Sequence, residues 1–189
     1  MKMCNTLHIK GFFIIFFIAL LTNITMAQTI ETQDFSVIKT LEVGEIRYYP
    51  PVMKIQSDNN FGRLFNFISG NNSSREKISM TSPVYMGDGK GNNIMEFVLP
   101  KDFKPENTPE AISKGVKVYE SEPGYFLALE FGGYASGRSI RNYSAELAKI
   151  AKKNGIQTIG QAMLLVYDSP YKVVGRKNEV IIQIDEKSI

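Results

Sequence analysis

The chain has 189 residues, of which 43% are hydrophobic, and 22 Lys and Arg stand against 19 Asp and Glu. That length suits one domain with a sizeable core. A formal charge of +3, two units of which come from Lys2 and Lys10, makes no case for nucleic acid or an anionic membrane as a partner.

The first segment reads as a targeting signal. Lys2 and Lys10 form a positive region, Gly11 to Leu21 is apolar and uncharged, and Thr25 and Ala27 fit a signal-peptidase site. Eleven apolar residues rise only about 16 Å as a helix, against a hydrocarbon core of about 30 Å. Residues 1–27 are therefore expected to be a cleaved signal peptide and 28–189 a single exported domain, secreted or periplasmic, with no stable membrane insertion. Retention of the segment as an anchor is the competing reading. Cleavage removes the only Cys (Cys4) and the only His (His8) and lowers the formal charge to +1. Without them the domain has no disulfide, no Ser-His-Asp or Cys-His pair, no His- or Cys-bound zinc and no His-ligated haem.

From Phe35 the pattern alternates. Val37–Leu41 and Ile46–Tyr49 read as strands around a turn at Glu42–Glu45, and Val52–Ile55 as a continuation of the second beyond Pro50-Pro51. Phe61, Leu64, Phe65 and Ile68 fall at helical spacing, and Gly70-Asn71-Asn72 ends that helix. The Lys77–Val84 run returns to alternation, with Pro83 marking an edge or a bend. Gly87–Asn93 reads as a loop, and Ile94–Leu99 as a strand forming a hairpin with the Lys77 strand. Pro100–Pro109 connects two halves.

Strands at Val116–Val118 and Tyr125–Phe131 flank a turn at Glu122-Pro123-Gly124. A helix follows over about Ser139–Asn154, closed by Gly155. Ala162–Tyr167, a loop over Asp168–Lys177 and Val180–Ile184 complete the chain. Each half thus runs strand, strand, helix, strand, strand, and the Met80–Val84 and Tyr167–Tyr171 runs hold equivalent places. The expected class is α+β: two such units joined in one curved antiparallel sheet or barrel, with a helix from each outside.

Four motifs occur in order: Glu45-Ile-Arg-Tyr-Tyr-Pro50, Lys77-Ile-Ser-Met-Thr-Ser-Pro-Val84, Phe131-Gly-Gly-Tyr-Ala135, and Tyr167-Asp-x-Pro170 followed by Gly175-Arg-x-Asn-Glu-Val180. Together they resemble the SOUL haem-binding protein family across about Phe35–Ile184. The resemblance implies a distorted antiparallel barrel of about eight strands flanked by two helices. It also implies haem or another tetrapyrrole as ligand, held in an open apolar groove between the first helix and the loop before the last strand. Carried onto this chain, the groove is the Phe61, Leu64, Phe65 and Ile68 face opposite Ser169–Lys177. One branch of the family has a His ligand; lacking His, this domain resembles only the branch without one.

A flat macrocycle with two propionates needs apolar walls and cations. Arg63, Tyr171, Lys172, Arg176 and Lys177 are the candidates beside the helix stripe, and Lys172 has no obvious carboxylate partner. The stripe reads equally as core, and Arg176 as a structural partner of Glu179. Met80 or Tyr171 could donate to iron, but a Met in an alternating strand also serves as core filler. Gly87-x-Gly89-x-Gly91 precedes no helix and fails as a phosphate loop. Glu76, Asp88, Glu96, Asp102 and Glu130 show no catalytic pairing, so the chain is expected not to be an enzyme. The rival reading is a module for a non-haem small molecule or a protein partner.

Overall fold

The computed structural model describes residues 30–87 and 93–189. The expected signal peptide and most of the expected Gly87–Asn93 loop lie outside them. Strands are β1 (Glu31–Thr32), β2 (Ser36–Thr40), β3 (Glu45–Tyr49), β4 (Met53–Ser57), β5 (Thr81–Ser82), β6 (Val84–Gly87), β7 (Met95–Val98), β8 (Lys117–Glu120), β9 (Gly124–Gly132), β10 (Thr158–Val166) and β11 (Lys177–Ile184). Helices are α1 (Phe61–Ile68) and α2 (Gly137–Lys153).

Local chemistry explains the boundaries. The Asn60 side chain accepts the Arg63 N–H and caps α1, and Ser136 does the same for α2 through Ser139. Lys152 and Lys153 in the last turn of α2 face its negative dipole end. The β2–β3 turn needs Gly44: its φ is +83°, and a Cβ there would sit 2.6 Å from the Ala128 carbonyl oxygen.

Nine strands form one antiparallel sheet in the order β2-β3-β9-β11-β10-β6-β7-β4-β8, while β1 pairs with β5 in a small parallel ladder. The seam is β6 against β10, where Tyr85 faces Leu165. The order is nearly symmetric about that pair: Glu96 on β7 lies opposite Tyr85, and Glu179 on β11 opposite Leu165. The two halves also exchange strands. β3, from the first half, pairs with β9, and β8, from the second, pairs with β4.

Two expectations change here. Pro50-Pro51 does not interrupt one strand: β3 and β4 stand in opposite halves of the sheet, because two consecutive prolines withhold the N–H groups a ladder needs. β8 and β9 flank Glu122–Gly124 as expected, without pairing to each other. The sheet has nine strands where about eight were expected, and β2 and β8 end it without pairing to each other, so it is an open sheet and not the distorted barrel that the resemblance implies.

Alternation assigns the faces. Leu127, Leu129, Leu164 and Val180 pack on Leu147, Ile150 and Ala151 of α2. Ile55, Met95 and Phe97 pack on Leu64, Phe67 and Ile68 of α1. The other face carries Tyr85, Val98, Ala128, Leu165 and Ile181, all buried although no helix covers them. The segment just after β1 lies against it. The Gln33 N–H donates to the Ser82 carbonyl at 2.8 Å, and the Tyr85 hydroxyl donates to Gln33 Oε1 at 2.7 Å.

Candidate functional site

At one end of the seam, β6 and β10 run out beside the start of α1 and the loop before β11, leaving a cavity of about 480 Å3. That volume is in the range of small-molecule sites. Phe61 from α1, Pro170 and Tyr171 from the loop, and Met80, Met86 and Met95 are among the residues that line it. Met86 and Met95 are cross-strand partners. Depressions of about 430 and 460 Å3 elsewhere include Asp58, Arg63 and Lys117 in one and Asp185 and Glu186 in the other. The seam groove has the most continuous apolar lining.

The sequence-derived residues divide. Phe61 and Tyr171 line the groove, 48% and 90% exposed. Phe61 is held edge-on against Phe97 at 5.1 Å and stacked on Phe65 at 5.8 Å. Phe65 itself is exposed on α1 and supports Phe61 without lining the groove. Leu64 and Ile68 are buried core, because the helix turns its Leu64, Phe67 and Ile68 stripe onto the sheet. Phe67, which the stripe read from sequence left out, joins Leu64 and Ile68 in that packing.

Each of the four cations already has a protein partner, and Lys172 and Arg176 each have one that lines the groove. Arg63 pairs with Asp58 and borders another cavity. Lys172 Nζ sits 2.7 Å from Asp168 Oδ1, a carboxylate one helical turn back in sequence that the sequence reading passed over. Arg176 is buried, and its Nη1 donates to the carbonyls of Ser169 and Lys172 at 2.7 and 2.8 Å, with the guanidinium 4.7 Å from the Tyr134 ring. Its role is to hold the loop, through carbonyls rather than through Glu179. Lys177 Nζ lies 3.3 Å from Glu130 and 3.2 Å from Glu179.

The groove borders a buried ionic network. Arg47 donates to both oxygens of Glu179 at 2.8 and 3.1 Å, and the Tyr167 hydroxyl donates to Glu179 Oε2 at 2.7 Å. Burial alone would raise the Glu179 carboxyl, but hydrogen bonds from Arg47 and Tyr167 and the charges of Arg47 and Lys177 hold it below the usual value. Burial, then the Glu179 charge, push the Tyr167 phenol up, so it remains a donor. In the other half-sheet, Lys54 Nζ meets Glu96 at 3.2 Å and the Tyr85 ring at 3.5 Å, and burial pulls its pKa down against the pull of Glu96. Among the described residues no group of three or more His, Cys, Asp or Glu could hold a metal ion.

Sequence reasoning missed Met86, Met95, Val166 and Tyr167 as lining residues. Only Tyr167 lies in a run that the sequence singled out; Met86, Met95 and Val166 reach the groove through the antiparallel pairing of β6 with β7 and β10, which no local signal announces.

Comparison with known proteins follows this geometry. The family described as "SOUL heme-binding protein" matches residues 30–183. Heme-binding protein 2 of Mus musculus is 24% identical over 166 residues, covering 77% of this chain and 80% of its own length. Heme-binding protein 1 of Sus scrofa is 27% identical over 127 residues, covering 62% and 66%. In fold, the chain is similar to EcmrR in its DNA complex, with a TM-score of 0.55 at 11% identity over 74% of this chain and 56% of that one. It is also similar to a hydrolase from Listeria innocua, with a TM-score of 0.51 at 10% identity over 78% and 94%. Those two likenesses concern the fold alone. The match over residues 30–183 spans nearly all of the described chain and all four motifs, and the chain belongs to the SOUL haem-binding protein family.

Proposed function

We propose that this protein binds haem or a related tetrapyrrole in the seam groove, by packing the ring faces rather than by His ligation, and that it is a binder rather than an enzyme. The observation that carries the reading is the groove itself: apolar, about 480 Å3, and walled by Phe61 and Tyr171. Its three methionines suit a flat, polarisable ring, since the thioether chain adapts to irregular contact. Met80 and Tyr171 are the groove's own candidate donors to an iron. Family membership and relatives named heme-binding proteins support the same ligand class. We also propose that residues 1–27 are a cleaved signal and the domain is exported. The sequence pattern supports this, as does the start of the family match at residue 30. The exported protein should have the mass of residues 28–189; recovery of the full-length chain in the membrane fraction would count against cleavage.

Titration of haem into the domain should shift the Soret band with saturation at one site, and metal-free protoporphyrin should bind about as tightly. Phe61→Asp should weaken both at least about tenfold, the scale of losing one apolar wall. Because Phe61 is half-exposed, this variant should keep the parent's thermal midpoint, which Leu64→Asp, in the core, would not. No saturable change up to about 50 μM ligand, or unaltered binding by Phe61→Asp, would overturn the assignment.

A further inference from the structure

Among the described residues the groove has a mostly apolar lining and no cation of its own. Of its lining residues only Asp168 carries a charge near neutral pH. Oδ1 of Asp168 accepts from Lys172 Nζ at 2.7 Å and Oδ2 from the Lys177 backbone N–H at 2.6 Å. The Lys172 hydrogen bond, followed by the Lys177 N–H, holds this carboxyl below its usual range, so it stays an anion. A ligand carboxylate reaching for Lys172 must displace Asp168 and then lie beside it. Arg176 is spent on two loop carbonyls, and Lys177 on Glu130 and Glu179. An acid carried into the groove would lose its water and meet no lining cation among the described residues; the charges of Lys172 and Arg176 already act on Asp168, so the acid would lose about a hundredfold or more in affinity. Tyr171, 90% exposed, marks a mouth open to solvent.

Resting on the tetrapyrrole reading, we propose that the groove selects macrocycles by the number and placement of their carboxylates. A ring with two acids on one edge enters by its bare edge and leaves both acids in water. A ring with acids on every pyrrole has no bare edge and is rejected. The Asp168–Lys172 pair sets this preference at the mouth.

Fluorescence titration of the whole domain with metal-free rings tests it. The probes are protoporphyrin dimethyl ester, protoporphyrin with two acids, coproporphyrin with four and uroporphyrin with eight. Ester and diacid should bind within about tenfold of each other, the tetra-acid about a hundredfold more weakly than the diacid, and the octa-acid not measurably. Asp168→Asn should shift the diacid-to-ester affinity ratio about three- to tenfold toward the diacid, and added salt should shrink that shift. Ser169→Lys, which adds an exposed cation at the lip and keeps the carbonyl that Arg176 uses, should recover tetra-acid binding at least about tenfold. Tetra- or octa-acid binding as tight as the diacid would overturn the selectivity alone. So would a diacid-to-ester ratio indifferent to Asp168→Asn. Failure of every ring to bind, the ester included, would overturn the tetrapyrrole reading and this inference together.

Discussion

Glu179 is fully buried and takes hydrogen bonds from Arg47 and Tyr167, with Lys177 Nζ at 3.2 Å. Removing one member of such a set leaves a desolvated charge unpaired, which costs more than the intact set contributes. Glu179→Gln should therefore lower unfolding free energy by about 3 kcal/mol in urea at neutral pH, the low end for a broken buried pair because Arg47 keeps Glu45 at 2.8 Å. The pH dependence has a definite sign. The carboxyl is held below its ordinary value of 4.5 in the folded state, so an unfolded Glu takes up a proton first as the pH falls. Its contribution is whole above about pH 4.5 and disappears as pH drops through the lower folded value. Part of the parent's acid destabilisation should be missing from Glu179→Gln in urea titrations repeated between about pH 5 and 3. An identical acid profile in the two proteins would show that Glu179 is not the group responsible.

Among elements, the exchanged strands have the largest consequence. β4 has β7 on one side and β8 on the other, and β8 comes from the second half of the chain; β9 likewise depends on β3 from the first. Each half-sheet is therefore incomplete without a strand from the other half, and each would expose a long unpaired edge. Fragments 28–110 and 111–189 should each lack a cooperative thermal transition, and mixing them should restore strand signal in circular dichroism together with one transition. Cooperative unfolding of either fragment alone would mean that the exchange is dispensable. The helices show a milder version of the same dependence. α1 is only eight residues, too short to persist alone, and it stands because Leu64, Phe67 and Ile68 pack onto the sheet.

For the whole molecule, what could be read beforehand follows from the range of the interactions involved. Periodicity, caps and turn glycines act within a few residues, so α1, α2 and the strands after α2 were legible to within a few positions, as was the α+β class; the expected Lys77–Val84 strand is instead the two-residue β5 and, beyond Pro83, β6 at Val84–Gly87. The repeated strand–strand–helix–strand–strand order was legible for the same reason, but the expected equivalence of two runs was not met: Met80–Val84 leads into β6 whereas Tyr167–Tyr171 follows β10, and antiparallel pairing at the seam brings them together. The four motifs carried the family. Pairing across the sheet was not legible: nothing local to Pro50-Pro51 says that β4 crosses to the other half, and nothing local to β8 says that it pairs with β4 rather than β9. Helical spacing likewise defines a stripe on α1 but not its rotation against the sheet, which buried Leu64 and Ile68 and turned Phe61 to the groove. The fate of the cations was decided at the same level, since Glu130 and the carbonyls of Ser169 and Lys172 become partners of Lys177 and Arg176 only once β9, β11 and the loop between β10 and β11 are in place. By itself the sequence determined the class, the family and the lack of any His in residues 28–189. Only the tertiary structure decided which apolar residues line the groove and which charges are already paired, because both depend on contacts between residues far apart in the chain.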